Sequence, residues 1–334
     1  MIKVPNLTFV NAFRFAKEMS GTILEEGDEF DFSDVHNCDP FPMLLTSMTI
    51  RKTKEESGTL MCRATHCENS YAEHMRFYRA IGIDRGRDLL ENYGNSNYLP
   101  ITRLEIRDLR VQGFKSKERV QEVIENKAKA MATVLSKGND SFKKWLKYIL
   151  TELMRNIPEH SKADSIWYCA QYWPSYDLVE LAIMDAGIGI KESLLDNYAY
   201  GELIDNDLDA IQMAMKPGVS KAFAPGSYSL SQDEWANSGY GLYMVSHLCK
   251  ELGGSFILAS GDCGVKVDHD GKKNVYDTQI KGTAIQIRIK PSKIDNYEDL
   301  AKKILRQGEK TAKESSNAFK VASKSTKSLF WDGD

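Results

Sequence analysis

Polar and apolar residues alternate from Glu29 to Val35 and again from Ile101 to Ile106, and each stretch predicts a half-buried strand. Between them, Met43 to Arg51 places Met43, Leu44, Met48 and Ile50 at helical spacing. Thr59 to Arg63 predicts the next strand, and Tyr71 to Ala80 a second helix stopped by Gly82. Asp39-Pro40 marks a turn ahead of the first helix. Residues 1–95 thus read as a small α/β unit.

Residues 96–140 read as a linker holding the Ile101–Ile106 strand and a Lys-, Glu- and Ala-rich helix, Ser116 to Leu135, broken at Lys137 to Asp140. Ser141 is suited to cap the next helix, since a hydroxyl accepts from a free backbone N–H. That helix runs from Phe142 to Ile157 with Phe142, Trp145, Leu146, Ile149 and Leu153 on one face, and Pro158 ends or kinks it. Leu178 to Met184 is a strand that runs straight into Asp185 to Gly189. Lys191 to Asn237 is long, polar and broken by Gly and Pro, with one helix near Asp207 to Met215. A helix over Gly241 to Leu252 and strands over Ser255 to Ser260 and Thr283 to Ile289 follow, with Asp262 to Lys281 as a polar hairpin extension. Residues 141–292 form a second α/β unit. Residues 293–334, rich in Lys and Ser, read as a flexible tail with a short helix over Asp299 to Arg306.

Composition narrows the partners. A length of 334 residues suggests two domains, and a formal charge of −3 supplies no electrostatic reason to expect nucleic acid or an anionic membrane. No run of about 18 apolar residues exists, so no membrane span is expected. Polar residues interrupt the apolar start of the chain, which argues against a signal peptide and makes a cytoplasmic location the default. The six cysteines are scattered and read as reduced thiols. His36, Cys38, Cys62, His66 and Cys67 show no paired metal-binding spacing, so buried thiols are the better reading.

Four elements carry chemistry when read together. Glu152 and Asn156, four apart, share a helix face, where one can act as a base on water and the other can offer a carbonyl oxygen to a hard cation. Asp185 at a strand end can accept from an exocyclic amine such as that of adenine. Gly187 and Gly189 beside it let backbone approach a flat ring. Gly239, Tyr240, Gly241 and Leu242 open a helix whose free N–H groups suit phosphate oxygens. Gly282-Thr283 opens the last strand, with the Thr283 hydroxyl able to reinforce the Asp185 contact.

In this order the four elements resemble the N, G1, G2 and terminal Gly-Thr boxes of the GHKL ATPases: sensor histidine kinases, type II topoisomerases, MutL-type repair proteins and anti-sigma serine kinases. The resemblance implies a GHKL (Bergerat-type) α/β sandwich with ATP between sheet and helices. It implies Asn156 on magnesium, Asp185 on adenine, and Lys191 to Asn237 as a mobile ATP lid. Glu at the position of Glu152 implies a general base, as in hydrolysing members and the anti-sigma kinases. His160 sits where those kinases tend to place a histidine; a phosphate contact and a hydrogen-bonded structural histidine both stand. Lys221 reads either as a γ-phosphate contact from the lid or as a solvated loop lysine.

Phe30 to Pro42 followed by a helix resembles the STAS domain of anti-anti-sigma factors, in which a Ser after an Asp is phosphorylated. Here Pro40 follows Asp39, so no hydroxyl is present, and a docking or dimerising role is implied instead. The resulting expectation is a magnesium-dependent ATPase whose lid gates contact with an unidentified protein partner, similar to stand-alone bacterial regulators. The alternatives are an ATP-liganded switch without turnover and a serine kinase acting on another protein. A sensor histidine kinase fits least, because Lys115 to Ile149 holds no histidine.

Overall fold

The computed structural model describes residues 1–59, 62–86, 97–221, 239–294 and 297–315. The first unit consists of β1 (Ile2–Lys3), α1 (Phe9–Met19), β2 (Glu29–Asp31), α2 (Pro40–Glu56), β3 (Arg63–Thr65), α3 (Ser70–His74) and α4 (Phe77–Ala80). Its strands form a parallel sheet in the order β1-β2-β3. Asp39-Pro40 is not a free turn. Asp39 is the residue before α2, and Pro40 takes the first helical position, where a missing N–H costs nothing. The single helix expected over Tyr71 to Ala80 is split at Arg76, which adopts a left-handed φ of 63°.

The second unit comprises β4 (Tyr98–Glu105), α5 (Ile106–Ser116), α6 (Val120–Ser136), α7 (Asp140–Asn156), β5 (Ser165–Trp173), β6 (Leu178–Met184), α8 (Gly189–Leu195), α9 (Asp207–Ala214), α10 (Gly241–Glu251), β7 (Ser255–Val267), β8 (Lys273–Ile289) and α11 (Tyr297–Glu314). Five of its strands form an antiparallel sheet in the order β4-β5-β6-β8-β7. Three expectations change. Residues 96–140 are not a linker: β4 is an edge strand of the large sheet, and α6 packs along α7. The expected Lys-rich helix, Ser116 to Leu135, is α6 and begins only at Val120; ahead of it lies α5, which was not expected and ends at Lys117 in a left-handed conformation. The tail begins with α11, whose Ala301, Ile304, Leu305 and Ala312 are buried in the core of α7 and α10, so this part is a packed helix.

Both faces of the large sheet are covered, which is why β6 is almost wholly apolar. Val179, Leu181 and Ile183 point into the core shared with α7 and α10. Ala182 and Met184 point the other way, into a core shared with Phe13, Phe41 and Leu45 of the first unit. Glu180 belongs to that second face and is fully buried. Its carboxylate accepts from the Phe41 backbone N–H at 2.8 Å, from Gln286 Nε2 at 2.9 Å and from Arg288 Nε at 2.7 Å. Arg288 also donates to Asp39 Oδ2 at 2.7 Å. The start of α2 is thereby tied to the middle of the large sheet.

Removing one partner of a buried ion pair strands the other charge. Arg288→Ala should therefore cost about 3 kcal/mol in urea denaturation. Asp39→Asn, at a half-exposed carboxylate, should cost about 1 kcal/mol or less. Equal and small losses for the two variants would show that Glu180 does not need its arginine.

Candidate functional site

Helix α7 supplies the first part of the site. Its N-cap is Asn139, whose side chain accepts from Phe142 N at 2.8 Å, rather than the expected Ser141. Its apolar stripe, Phe142, Trp145, Ile149 and Leu153, is buried against the sheet. The helix keeps its α form to Asn156 and then continues as a π-helical turn over Ile157–Ser161, with Pro158 in the first turn. Arg155 Nε donates to Glu159 Oε1 at 3.1 Å across this change. π-Turns are rare and tend to occur at functional sites. Here the turn carries His160 and Ser161 onto the wall that also holds Asn156.

The end of β6 supplies the second part. Asp185 N donates to the Thr283 carbonyl at 3.0 Å, joining the ends of β6 and β8. Gly187 N donates to Asp185 Oδ1 at 2.8 Å. Burial pushes the Asp185 carboxyl up to about 6, against the opposing pull of the Gly187 N–H and the Ser161 hydroxyl. Thr283 stands beside it, half-buried.

The entrance to α10 supplies the third part. Gly239 has φ +74°, and a Cβ there would lie 2.3 Å from the Val219 carbonyl oxygen, so both conformation and space require glycine. A Cβ on Gly241 would lie 2.7 Å from Glu152 Oε2, which places the Glu152 carboxyl directly against the first turn of α10. Glu152 is 7% exposed, and burial raises its carboxyl to about 7; Arg155 opposes that shift and Glu159 adds to it. The positive end of α10 favours the charged form locally.

These parts converge on one cavity. Asn156, His160, Asp185, Gly189, Lys221, Gly239, Gly241, Leu242 and Thr283 line it. Three anticipated residues do not. Glu152 stands behind Gly241, Gly187 faces a second cleft, and the Tyr240 ring is fully buried edge-on to Tyr243, leaving only its backbone for a ligand. His160 is pushed down to about 4 by burial and by the nearby Lys221 and Arg155, so it is a neutral imidazole at neutral pH. Lys221 Nζ is 4.0 Å from Asp196 Oδ2.

Several lining residues were not anticipated: Ser161 and Ser193, and an apolar floor including Ile183, Ile190, Val219 and Ile285. A signal for Ser161 exists, since it follows His160 directly. The described part of the expected lid, residues 191–221, is also more ordered than its composition suggests. Lys191 lies in α8, and Leu194, Tyr200, Ile204, Ala210 and Met213 form a small core of their own. The remainder of that stretch, residues 222–237, lies outside the described residues. Also among the described residues, no group of three or more His, Cys, Asp or Glu side chains could hold a metal ion.

Residues 142–293 match the family model described as Histidine kinase-, DNA gyrase B-, and HSP90-like ATPase. The match implies ATP binding on a GHKL-type ATPase or kinase fold in this segment, and it spans a little under half of the chain. None of the curated proteins matches the chain.

A carboxyl whose folded pKa is raised stabilises least when ionised, so Glu152 weakens the fold as pH rises through about 7. Glu152→Gln should consequently stabilise the protein at pH 8, by an amount on the order of 3 kcal/mol at most, and by much less at pH 5. Thermal melts at the two pH values measure this. A gain that is the same at both would disconnect it from the carboxyl's titration.

Proposed function

We propose that the protein is a magnesium-dependent ATPase, with ATP in the cavity between α7, α10 and the end of β6. The observation that carries this reading is the contact of the Glu152 carboxyl with Gly241, at the helix end suited to phosphate. Asp185, at the sheet end of the same cavity, accepts from the adenine amine. Thr283 reinforces that contact, and the apolar floor receives the ring. The N–H groups around Gly239 to Leu242 receive the phosphates, joined by Lys221. Neutral His160 can offer phosphate an N–H without adding charge.

Asn156 is the residue on this wall suited to magnesium, through its carbonyl oxygen. Phosphate oxygens and waters would supply the rest of its ligands. When bound, magnesium would neutralise phosphate charge. Glu152 takes a proton from a water whose oxygen forms the new bond to the γ-phosphorus; the bond to the bridging oxygen breaks and ADP leaves. Residues 191–237 act as the lid, and its state is read by a protein partner, with the STAS-like first unit as the surface for docking or for pairing with a second copy.

A second reading has its own support. Glu152 is nearly buried and lies behind Gly241, off the cavity wall, which suits a protein that uses ATP as a ligand without turnover.

Phosphate release and ATP binding by purified protein separate the two. For an ATPase, Glu152→Ala should keep ATP binding while turnover falls at least about 100-fold, and Asp185→Asn should lose binding. Binding without release in the wild type would leave the ligand-switch reading. The same assay across pH gives a further check. Because burial raises Glu152 to about 7, its basic form is lost below that value, and turnover should fall about tenfold per pH unit on the acid side. A rate flat from pH 5 to 8 would remove Glu152 as the base.

A further inference from the structure

A second cleft, of about 1020 Å³, lies on the far side of the Ala186–Gly189 segment, between α2 and the ends of the large sheet. That volume is in the range of small-molecule sites, and the proposed hydrolysis makes no use of it. Met184 and Gly189 line both this cleft and the ATP cavity, so the two share a wall.

The cleft has one built feature. The guanidinium of Arg51, from α2, lies 5.0 Å from the centre of the Trp167 ring, and that of Arg103, from β4, lies 5.5 Å from it. Trp167 is 6% exposed and faces Arg103 across the β4–β5 ladder. Two like charges are thus held on one aromatic ring. Burial pushes Arg51 below the usual guanidinium range, and Arg103 adds to that shift.

The acidic partners meet only part of this charge. Glu55 Oε1 is 3.6 Å from one terminal nitrogen of Arg51, whose other terminal nitrogen donates to the Ala80 carbonyl at 3.2 Å. Glu105 Oε1 is 2.8 Å from Arg103 Nε. Among the described residues, the terminal nitrogens of Arg103 have no such partner. Planar guanidiniums stacked on an aromatic ring present their N–H edges to planar oxyanions. Glu56 and Glu192 also line the cleft, as do Lys52, Lys162, Lys191 and Lys281, so it is of mixed charge away from the two arginines.

We propose that this cleft binds a small organic oxyanion, a phosphate or carboxylate compound, held by Arg51 and Arg103 over Trp167. A route to the ATP cavity is present. Trp167 pairs in register with Met184, and Met184 precedes Asp185 in the chain. An occupant that shifts Trp167 changes the setting of Asp185 and hence ATP affinity, and ATP changes the occupant's affinity by the same factor. That coupling rests on the ATP reading; binding in the cleft does not.

The test is calorimetric titration of the full chain with pyrophosphate and, separately, with citrate, the ATP cavity being filled with a non-hydrolysable ATP analogue. Saturable binding of at least one probe is expected. Arg51→Gln combined with Arg103→Gln should weaken it at least about tenfold, with a melting temperature within about two degrees of the wild type. Asp185→Asn should abolish binding of the analogue while leaving the probe bound, so the two proposals fail separately. Should the double variant melt early, Arg103→Gln alone at its more exposed position carries the same test. No saturable binding of either probe, or equal affinity in wild type and variant, overturns the proposal.

Discussion

The fold turns on a carboxylate with no access to water. Glu180 sits on β6, in the middle of the large sheet, on the face away from α7 and α10. A buried charge costs several kcal/mol unless its oxygens are satisfied. Here one oxygen accepts from Phe41 N and Gln286, and the other from Arg288. Burial still holds its carboxyl above the usual carboxylate range, against the pull of Arg288. One of the donors is the backbone at the first turn of α2, so the network is complete only when the first unit is docked. The apolar contacts around it, Phe13 and Phe41 against Ala182 and Ala284, supply the driving force. Glu180 supplies the register.

Glu152 shows the opposite treatment of the same group. It too is buried, on the other side of the sheet, yet among the described residues it has no set of donors like the one around Glu180. Burial raises its carboxyl to about 7, with Glu159 adding to the shift and Arg155 opposing it. Burial raises both carboxyls, but three donors fix the position of Glu180, while Glu152 is raised to about 7, close to neutral pH.

The contrast also marks what the sequence could reveal. The pieces of the candidate site were legible because each is local: four-residue spacing on α7, a strand running into Asp185, glycines ahead of α10. Leu178–Met184 was readable to the residue, since an apolar run bounded by turn residues has few alternatives. The misreadings are non-local. Residues 96–140 look like a linker until β4 pairs with β5, and α11 looks like a polar tail until α10 covers its few apolar positions. The Glu180 network joins positions 106 and 108 residues apart on the sheet and 139 apart to α2, beyond any spacing argument. That Glu152 lies behind Gly241, rather than on the cavity wall, is likewise a matter of packing between two helices.

The matched segment is therefore held from both sides by residues outside it. At the α10 end of the cavity, the Tyr243 hydroxyl donates to the Ile304 carbonyl of α11 at 3.3 Å, and a Cβ on Gly308 would lie 2.6 Å from the Tyr243 ring. The helix whose first turn meets Glu152 is thus braced by the C-terminal segment. At the other end, Asp185 extends from β6, whose rear face is pinned by α2. Interfaces packed this closely shift between discrete arrangements rather than deform smoothly. Any partner or ligand that loosened α2 or α11 would act on one end of the cavity without touching it. The two flanking units are thus part of the site's geometry, through the sheet in one case and through α10 in the other.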